Sequence, residues 1–196
     1  MKKAFLLLNC FLLFNGCGYK WSLSQDSKNQ ISIDIPYVKG DTKGIFTKEL
    51  IYLLSTQSPY TFSPNGAEYL LEVEFLDNSD SKIGYRRDRD KNTGAVLKNV
   101  VPTEGRKTVK VKASISDKEG SIVWGPYEFS CFSDYDYVDQ DSLSDLSFIN
   151  TLGQRQTVLS FSLGQLESIG AAQDASENPL YRSLAQKIID SITITW

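Results

Sequence analysis

Two segments of the chain alternate apolar and polar side chains with a period of two. In Ala67–Asp77 the apolar face comprises Tyr69, Leu71, Val73 and Phe75, and in Arg106–Ser116 it comprises Val109, Val111, Ala113 and Ile115. Successive side chains of a strand point to opposite faces, so the pattern predicts two strands that each bury one face. Such strands are stable only when a second layer covers that face, which constrains the fold more than any other feature.

Two further strands are predicted on either side of this pair. Ile31, Ile33 and Ile35 alternate with polar residues up to Pro36, where a ladder donor is missing. Ser121–Ser133 follows the turn at Asp117–Gly120, with an interruption expected at Gly125-Pro126. Cys131 is in phase with the aromatic residues of this strand, which predicts an inward-facing thiol that packs as a small apolar group.

Helical periodicity appears in three segments. One runs from Thr42, as the N-terminal cap, to Leu54, and a second covers Thr151–Gly170. The third has Asn178 as cap and Pro179 at the first helical position, followed by an apolar stripe of Leu180, Leu184, Ile188 and Ile192. Together with the strands, these helices predict an α+β fold, a two-layer sandwich of about four mostly antiparallel strands against two or three helices. The hydrophobic fraction of 41% is sufficient for one core.

The first residues have the layout of a signal peptide. Two lysines precede an apolar run, Ala4–Phe14, and Gly16-Cys17 follows directly. A run of about eleven residues is too short to span a bilayer as a helix, which takes about 20. We therefore predict a signal peptide over residues 1–16, a lipidated tether over residues 17–30 and a single domain over residues 31–196.

Cys17 is the predicted site of lipid attachment. Gly16 and Cys17 fit the lipobox of bacterial lipoproteins, in which the cysteine takes palmitate-type acyl chains, whereas Phe14 and Asn15 depart from its preferred residues. Two alternatives stay open at this point. One is a plain secretory signal cleaved near Gly16 or Gly18, and the other is a disulfide between Cys17 and Cys131.

Composition excludes several function classes. The chain has no histidine, so it lacks the base of Ser-His-Asp and Cys-His catalysis and the His ligands of many zinc sites. Its formal net charge of −3 argues against a nucleic-acid partner. The acidic residues between Asp134 and Asp145 lack the glycine and the bidentate glutamate of a calcium loop. No catalytic residue, metal site or cofactor is predicted.

Basic residues are concentrated in the middle of the chain. Residues 82–112 contain ten Lys or Arg against three Asp or Glu. Arg86, Arg87, Arg89 and Lys91 lie at a turn-rich tip in this stretch, and guanidinium groups bind phosphate through bidentate hydrogen bonds. We predict that these four residues bind lipid phosphate. The alternative is a solvated hairpin whose arginines are neutralised by Asp88 and Asp90.

Several short motifs, taken in order, resemble the lipopolysaccharide-assembly lipoproteins of the LptE family. They are Cys17-Gly18-Tyr19, Ile33–Tyr37, Gly44-Ile45, the strand Arg106–Ser116, the turn Asp117–Gly120 with Ile122-Val123-Trp124, and Leu184–Ile189 before Trp196. The resemblance implies a non-enzymatic lipoprotein anchored in the outer membrane and facing the periplasm. It also implies a fold of two helices against a four-stranded sheet.

The same resemblance implies the partners. Such a lipoprotein plugs and helps to assemble a β-barrel translocon, and it binds lipopolysaccharide during export. In the family the ligand contact lies near the loop between the middle strands, where Arg86, Arg87, Arg89 and Lys91 stand in this chain. The alternative function is an accessory lipoprotein of an ABC-type transporter, which would share the anchor and the α+β domain.

Overall fold

The centre of the fold is a five-stranded mixed sheet. The computed structural model describes residues 31–90, 93, 95–137, 147–157 and 168–196. In chain order the elements are β1 Ser32–Asp34, α1 Ile45–Gln57, β2 Thr61–Phe62, β3 Tyr69–Arg89, β4 Val96–Asp117, β5 Ile122–Asp136, β6 Ser147–Ile149, β7 Arg155–Thr157 and α2 Ile169–Thr195. The sheet order is β2-β1-β3-β4-β5, and β6 pairs with β7 in a separate two-stranded sheet. β1 is parallel to both neighbours, whereas β3, β4 and β5 are antiparallel.

The two helices and one face of the sheet enclose the larger of two apolar clusters in the described residues. The buried side chains on α1 include Leu50 and Leu53, and those on α2 include Leu184 and Ile188. The sheet contributes the apolar residues of the two period-two segments, with Leu71, Val109, Val111, Ala113 and Ile115 fully buried. The predicted α+β two-layer sandwich is confirmed, and β2 is an additional edge strand.

The start of α1 differs from the prediction, because Thr42 is not its cap. The helix begins after Gly44, whose φ of +69° favours a residue without a Cβ atom. Asp41 takes the capping role instead: its buried carboxylate accepts hydrogen bonds from the backbone N–H and the hydroxyl of Thr47, both at 2.8 Å. This arrangement fixes the loop that leads into the helix.

The predicted beginning of the C-terminal helix is also wrong. α2 begins at Ile169 with Ser168 as its cap, and Pro179 lies inside it rather than at its first position. Ala172, Ser176 and Glu177 are buried before the proline, so packing of the preceding turns outweighs the backbone hydrogen bond that a proline removes. The predicted helix over Thr151–Gly170 is wrong for residues 151–157, which form a turn and β7. Residues 158–167 lie outside the described residues.

β3 and β4 are much longer than their periodicity predicts. A bulge between Phe75 and Asp77 shifts the register, and the polar run that follows has no apolar alternation. β5 accompanies β4 only as far as Thr103, whose carbonyl oxygen accepts from the N–H of Tyr137. Beyond this point β3 and β4 continue as a two-stranded hairpin, residues 85–90 and 95–102, which we call the ribbon.

β5 agrees with the sequence in two respects. Its register against β4 shifts between Ala113 and Ile115, opposite Gly125-Pro126, as predicted. Cys131 contacts the core from the inner face but is only partly buried, and its Sγ lies 3.3 Å from the hydroxyl oxygen of Ser183 on α2.

Candidate ligand-binding ribbon

The ribbon is closed by a hydrogen-bonded turn. The backbone N–H of Asp90 donates to the carbonyl oxygen of Ala95 at 2.8 Å. The carboxylate of Asp90 accepts from the N–H and the hydroxyl of Thr93 at 2.8 and 2.9 Å. These contacts define the end of the hairpin on which the sequence places the phosphate-binding arginines.

Each of the three arginines lies directly opposite a valine. In the register of the two strands Arg86 pairs with Val101, Arg87 with Val100 and Arg89 with Val96. β3 therefore forms a basic edge, made of Arg86, Arg87 and Arg89. β4 forms an apolar edge, made of Val96, Leu97, Val100 and Val101. The basic edge was predicted from the sequence. The apolar edge was not, because Val96 to Val101 show no period-two alternation.

The structure does not bring all four predicted ligands to one face. Arg86 and Arg87 are adjacent in a regular part of the strand, so their side chains leave opposite faces of the ribbon. Arg87 and Arg89 are exposed, whereas Arg86 is half-buried. Lys91 lies outside the described residues. A phosphate bound by Arg87 would thus occupy a different face from one bound by Arg86.

The carboxylates of the ribbon are engaged in local contacts. Asp88 accepts from the Asn99 side-chain amide at 2.7 Å and from the Arg89 backbone N–H at 2.8 Å. Arg86 and Arg89 also have interactions within the chain. These contacts stiffen the hairpin, and a ligand phosphate must compete with them.

Outside the ribbon, much of the predicted basic stretch is already paired. Arg106 forms a bidentate ion pair with Asp134, at 2.6 and 2.9 Å, and its guanidinium carbon lies 4.2 Å from the ring centroid of Phe132. Hydrogen bonding to Arg106 lowers the pKa of Asp134 below its ordinary value. Lys110 is paired with Glu128 at 2.6 Å. Arg106 and Lys110 therefore already have carboxylate partners within the fold.

An ionic network centred on the buried Lys107 and Glu177 links α2 to the sheet. Lys107 Nζ is 3.4 Å from an Asp80 oxygen and 3.6 Å from Glu177 Oε1. Glu177 Oε2 also accepts from Lys43 Nζ at 2.9 Å, and the hydroxyl of Tyr135 donates to Asp80 at 3.1 Å. The network joins α2, β3, β4 and β5. Sequence reasoning missed it because its members are far apart in the chain.

Close packing accompanies this network. The ring of Tyr135 lies over Gly105, where a Cβ atom would come within about 2.4 Å of the ring. Any larger residue at position 105 would displace the tyrosine from Asp80. Burial raises the pKa of the Tyr135 hydroxyl, so it remains a hydrogen-bond donor at neutral pH.

The chemistry available at the ribbon is binding chemistry. Within the described ranges, no group of three or more Cys, Asp or Glu is arranged to hold a metal ion. None of the helices in those ranges is both long and apolar enough to cross a membrane. Arginines beside exposed apolar side chains suit an anionic amphiphile, whose phosphates and hydrocarbon need both kinds of contact.

Comparisons with known proteins give low similarity to several solved structures. No protein-family model matches the sequence, and no curated protein matches it. A minor lipoprotein from Acinetobacter baumannii is 13% identical, with a TM-score of 0.47, over 83% of this chain and 90% of that one. An uncharacterized lipoprotein B from Nitrosomonas europaea is 9% identical, with a TM-score of 0.45, over 87% and 91%. Rare lipoprotein B from Shewanella oneidensis is 13% identical, with a TM-score of 0.41, over 82% and 92%. Similarities at this level support no inference about function.

Proposed function

We propose that this protein is a lipoprotein of the bacterial outer membrane that faces the periplasm and takes part in lipopolysaccharide export. In this role it is anchored through acylated Cys17 and plugs a β-barrel translocon that it helps to assemble. It binds lipopolysaccharide through the basic edge of the ribbon. No catalysis is involved.

The observation that carries the proposal is the ribbon itself. Arg86, Arg87 and Arg89 project on a hairpin beyond the sandwich, and each is in register with a valine. Lipopolysaccharide presents phosphates next to acyl chains, so a surface that alternates guanidinium and apolar groups complements it. The resemblance of the ordered motifs to the lipopolysaccharide-assembly lipoproteins supports the barrel partner, and Gly16-Cys17 supports the anchor.

Charge reversal on the basic edge tests ligand binding. Each basic residue near an anionic surface contributes about 1 kcal/mol, so Arg86→Glu, Arg87→Glu and Arg89→Glu together should weaken lipopolysaccharide binding by on the order of a hundredfold. Binding by the unaltered protein should also fall with salt, because the screening length shortens from about 10 Å at 0.1 M to about 3 Å at 1 M.

A matched control variant distinguishes the loss of a binding site on the ribbon from the effect of a changed net charge. Lys48, Lys112 and Lys118 are exposed and lie outside the ribbon. Their joint replacement by Glu changes the net charge equally and should leave most of the affinity intact. Equal loss in the two triple variants would show that the ribbon is not the site.

Copurification tests the partner. After mild detergent extraction of the cell envelope, we expect the acylated protein to copurify with a large heat-modifiable barrel. Recovery with an ATPase complex instead would favour an accessory subunit of an ABC-type transporter and would contradict the translocon role.

A further inference from the structure

The apolar edge of the ribbon is exposed although apolar side chains of this size are usually covered. Val96 is 51% exposed, Val100 58% and Tyr85 57%. All three lie beyond the point where β5 ends, and the two helices do not bury them. Exposed apolar residues that are grouped on a projecting element mark an interaction surface.

The charges beside these residues indicate what the surface contacts. Arg87 is directly opposite Val100, and Arg89 is directly opposite Val96. Lys98 lies between the two valines on the exposed strand. An apolar protein partner would not complement the cations that stand beside these valines, whereas the interface of an anionic bilayer offers phosphates and hydrocarbon at adjacent depths.

We propose that the ribbon docks on the surface of a bilayer that contains anionic phospholipid. Val96 and Val100 enter the boundary between headgroups and acyl chains, and Arg87 and Arg89 bind phosphates. This goes beyond the proposed function, because the docking partner is the bilayer itself and no lipopolysaccharide is required.

Backbone hydrogen bonding favours surface docking over insertion across the membrane. Among the residues that the structure describes, no strand pairs with the outer edge of β4 from residue 96 to residue 102, and outward N–H and C=O groups on such an edge need water or headgroup partners. Those partners are available at the interface and missing in the hydrocarbon core. A ribbon strand of six to eight residues is also only about 20–26 Å long, shorter than a core of about 30 Å.

Site-specific labelling of the full acylated protein tests the proposal. In a Cys131→Ser background, an environment-sensitive fluorophore is attached at Val100→Cys and, separately, at Lys118→Cys. Lys118 is exposed in the β4–β5 turn, at the opposite end of β4 from the ribbon. In vesicles of phosphatidylglycerol and phosphatidylcholine without lipopolysaccharide, we expect a blue shift for the label at position 100 and little shift at position 118.

Variants of the arginines and of Val96 then measure separately how charge and apolar contact contribute to docking. Arg87→Gln with Arg89→Gln should lower the ratio of docked to undocked ribbon by about 25-fold, about fivefold for each arginine. Val96→Ser should reduce the shift at position 100 in the same vesicles. Pure phosphatidylcholine should give no shift.

Three results would overturn the proposal. One is a label at position 100 that stays water-exposed in anionic vesicles. Another is a shift of equal size in pure phosphatidylcholine. The third is a shift without vesicles that grows with protein concentration, which would assign the apolar edge to a second copy of the chain. Because no lipopolysaccharide is present, each of these failures leaves the proposed ligand binding to be judged by its own experiment.

Discussion

Lys107 and Glu177 provide a quantitative test of how α2 is held on the sheet. Their side chains are both 9% exposed, and Nζ lies 3.6 Å from Oε1. At an effective dielectric constant of about 20, two unit charges at this distance attract by roughly 4–5 kcal/mol before desolvation is counted. Lys43 also contacts Glu177, and the two ammonium groups repel each other. We therefore expect a net coupling of about 1–2 kcal/mol between Lys107 and Glu177.

A double-mutant cycle measures this coupling. Lys107→Met, Glu177→Gln and the double variant are unfolded in urea at pH 7, and the coupling is the non-additive part of the three changes in unfolding free energy. The matched control is the same cycle on Lys110 and Glu128. That pair is shorter, at 2.6 Å, but its side chains are 44% and 57% exposed.

The burial of the two side chains, rather than the distance between their charged atoms, should determine which pair has the larger coupling energy. The exposed control pair should give about 0.2–1 kcal/mol and weaken in 1 M salt, whereas the Lys107–Glu177 coupling should change little with salt. If the buried pair coupled no more strongly than the exposed pair at low salt, the reasoning from burial would be refuted. The network would then be a consequence of packing rather than a cause of it.

Three further outcomes are expected. Val111→Asp should abolish the cooperative thermal transition, because it places a carboxylate in a fully buried position, while Lys112→Asp on the exposed face of the same strand should retain it. Burial, with smaller contributions from the charges of Glu177 and Asp41, raises the pKa of Tyr181 to about 12. The neutral Tyr181 hydroxyl thus makes its full contribution to stability below pH 10. As the pH rises towards 12 this contribution is lost, and the free energy of unfolding should fall by about 2–3 kcal/mol. Urea titrations of Tyr181→Phe should not show this fall. Metabolic labelling with fatty acid should mark the unaltered protein and not Cys17→Ala, and label on the variant would contradict lipidation at Cys17.

The parts of the fold that the sequence predicts are those in which one residue type repeats at a fixed spacing. Leu71 and Val111 lie in the core because their strands alternate regularly. The extension of β3 was not predictable in this way, since a bulge follows Phe75 and the next residues are polar on both faces. Pro179 led to a wrong prediction of where the C-terminal helix begins, because its local preference for the first helical position was outweighed by tertiary packing.

The candidate site was likewise predictable from the sequence only in part. The arginines of the basic edge were predictable because charge is visible in composition. The pairing of each arginine with a valine depends on a register set by several bulges, which no local pattern encodes. Composition alone did not show that Lys107, one of the ten basic residues of this stretch, is buried against Glu177.

The length of β3 separates the basic edge of the ribbon from the strand that begins the sheet. Ile33 of β1 pairs with Tyr69 at the first residue of β3, whereas Arg89 is its last. Over 21 residues, at about 3.3 Å each, the strand has a contour of about 65–70 Å. Bulges along β3 and β4 bend this path, so the straight distance is shorter than the contour. A ligand held by the arginines therefore lies at the opposite end of β3 from β1, and only the hairpin connects it to the packed part of the sheet.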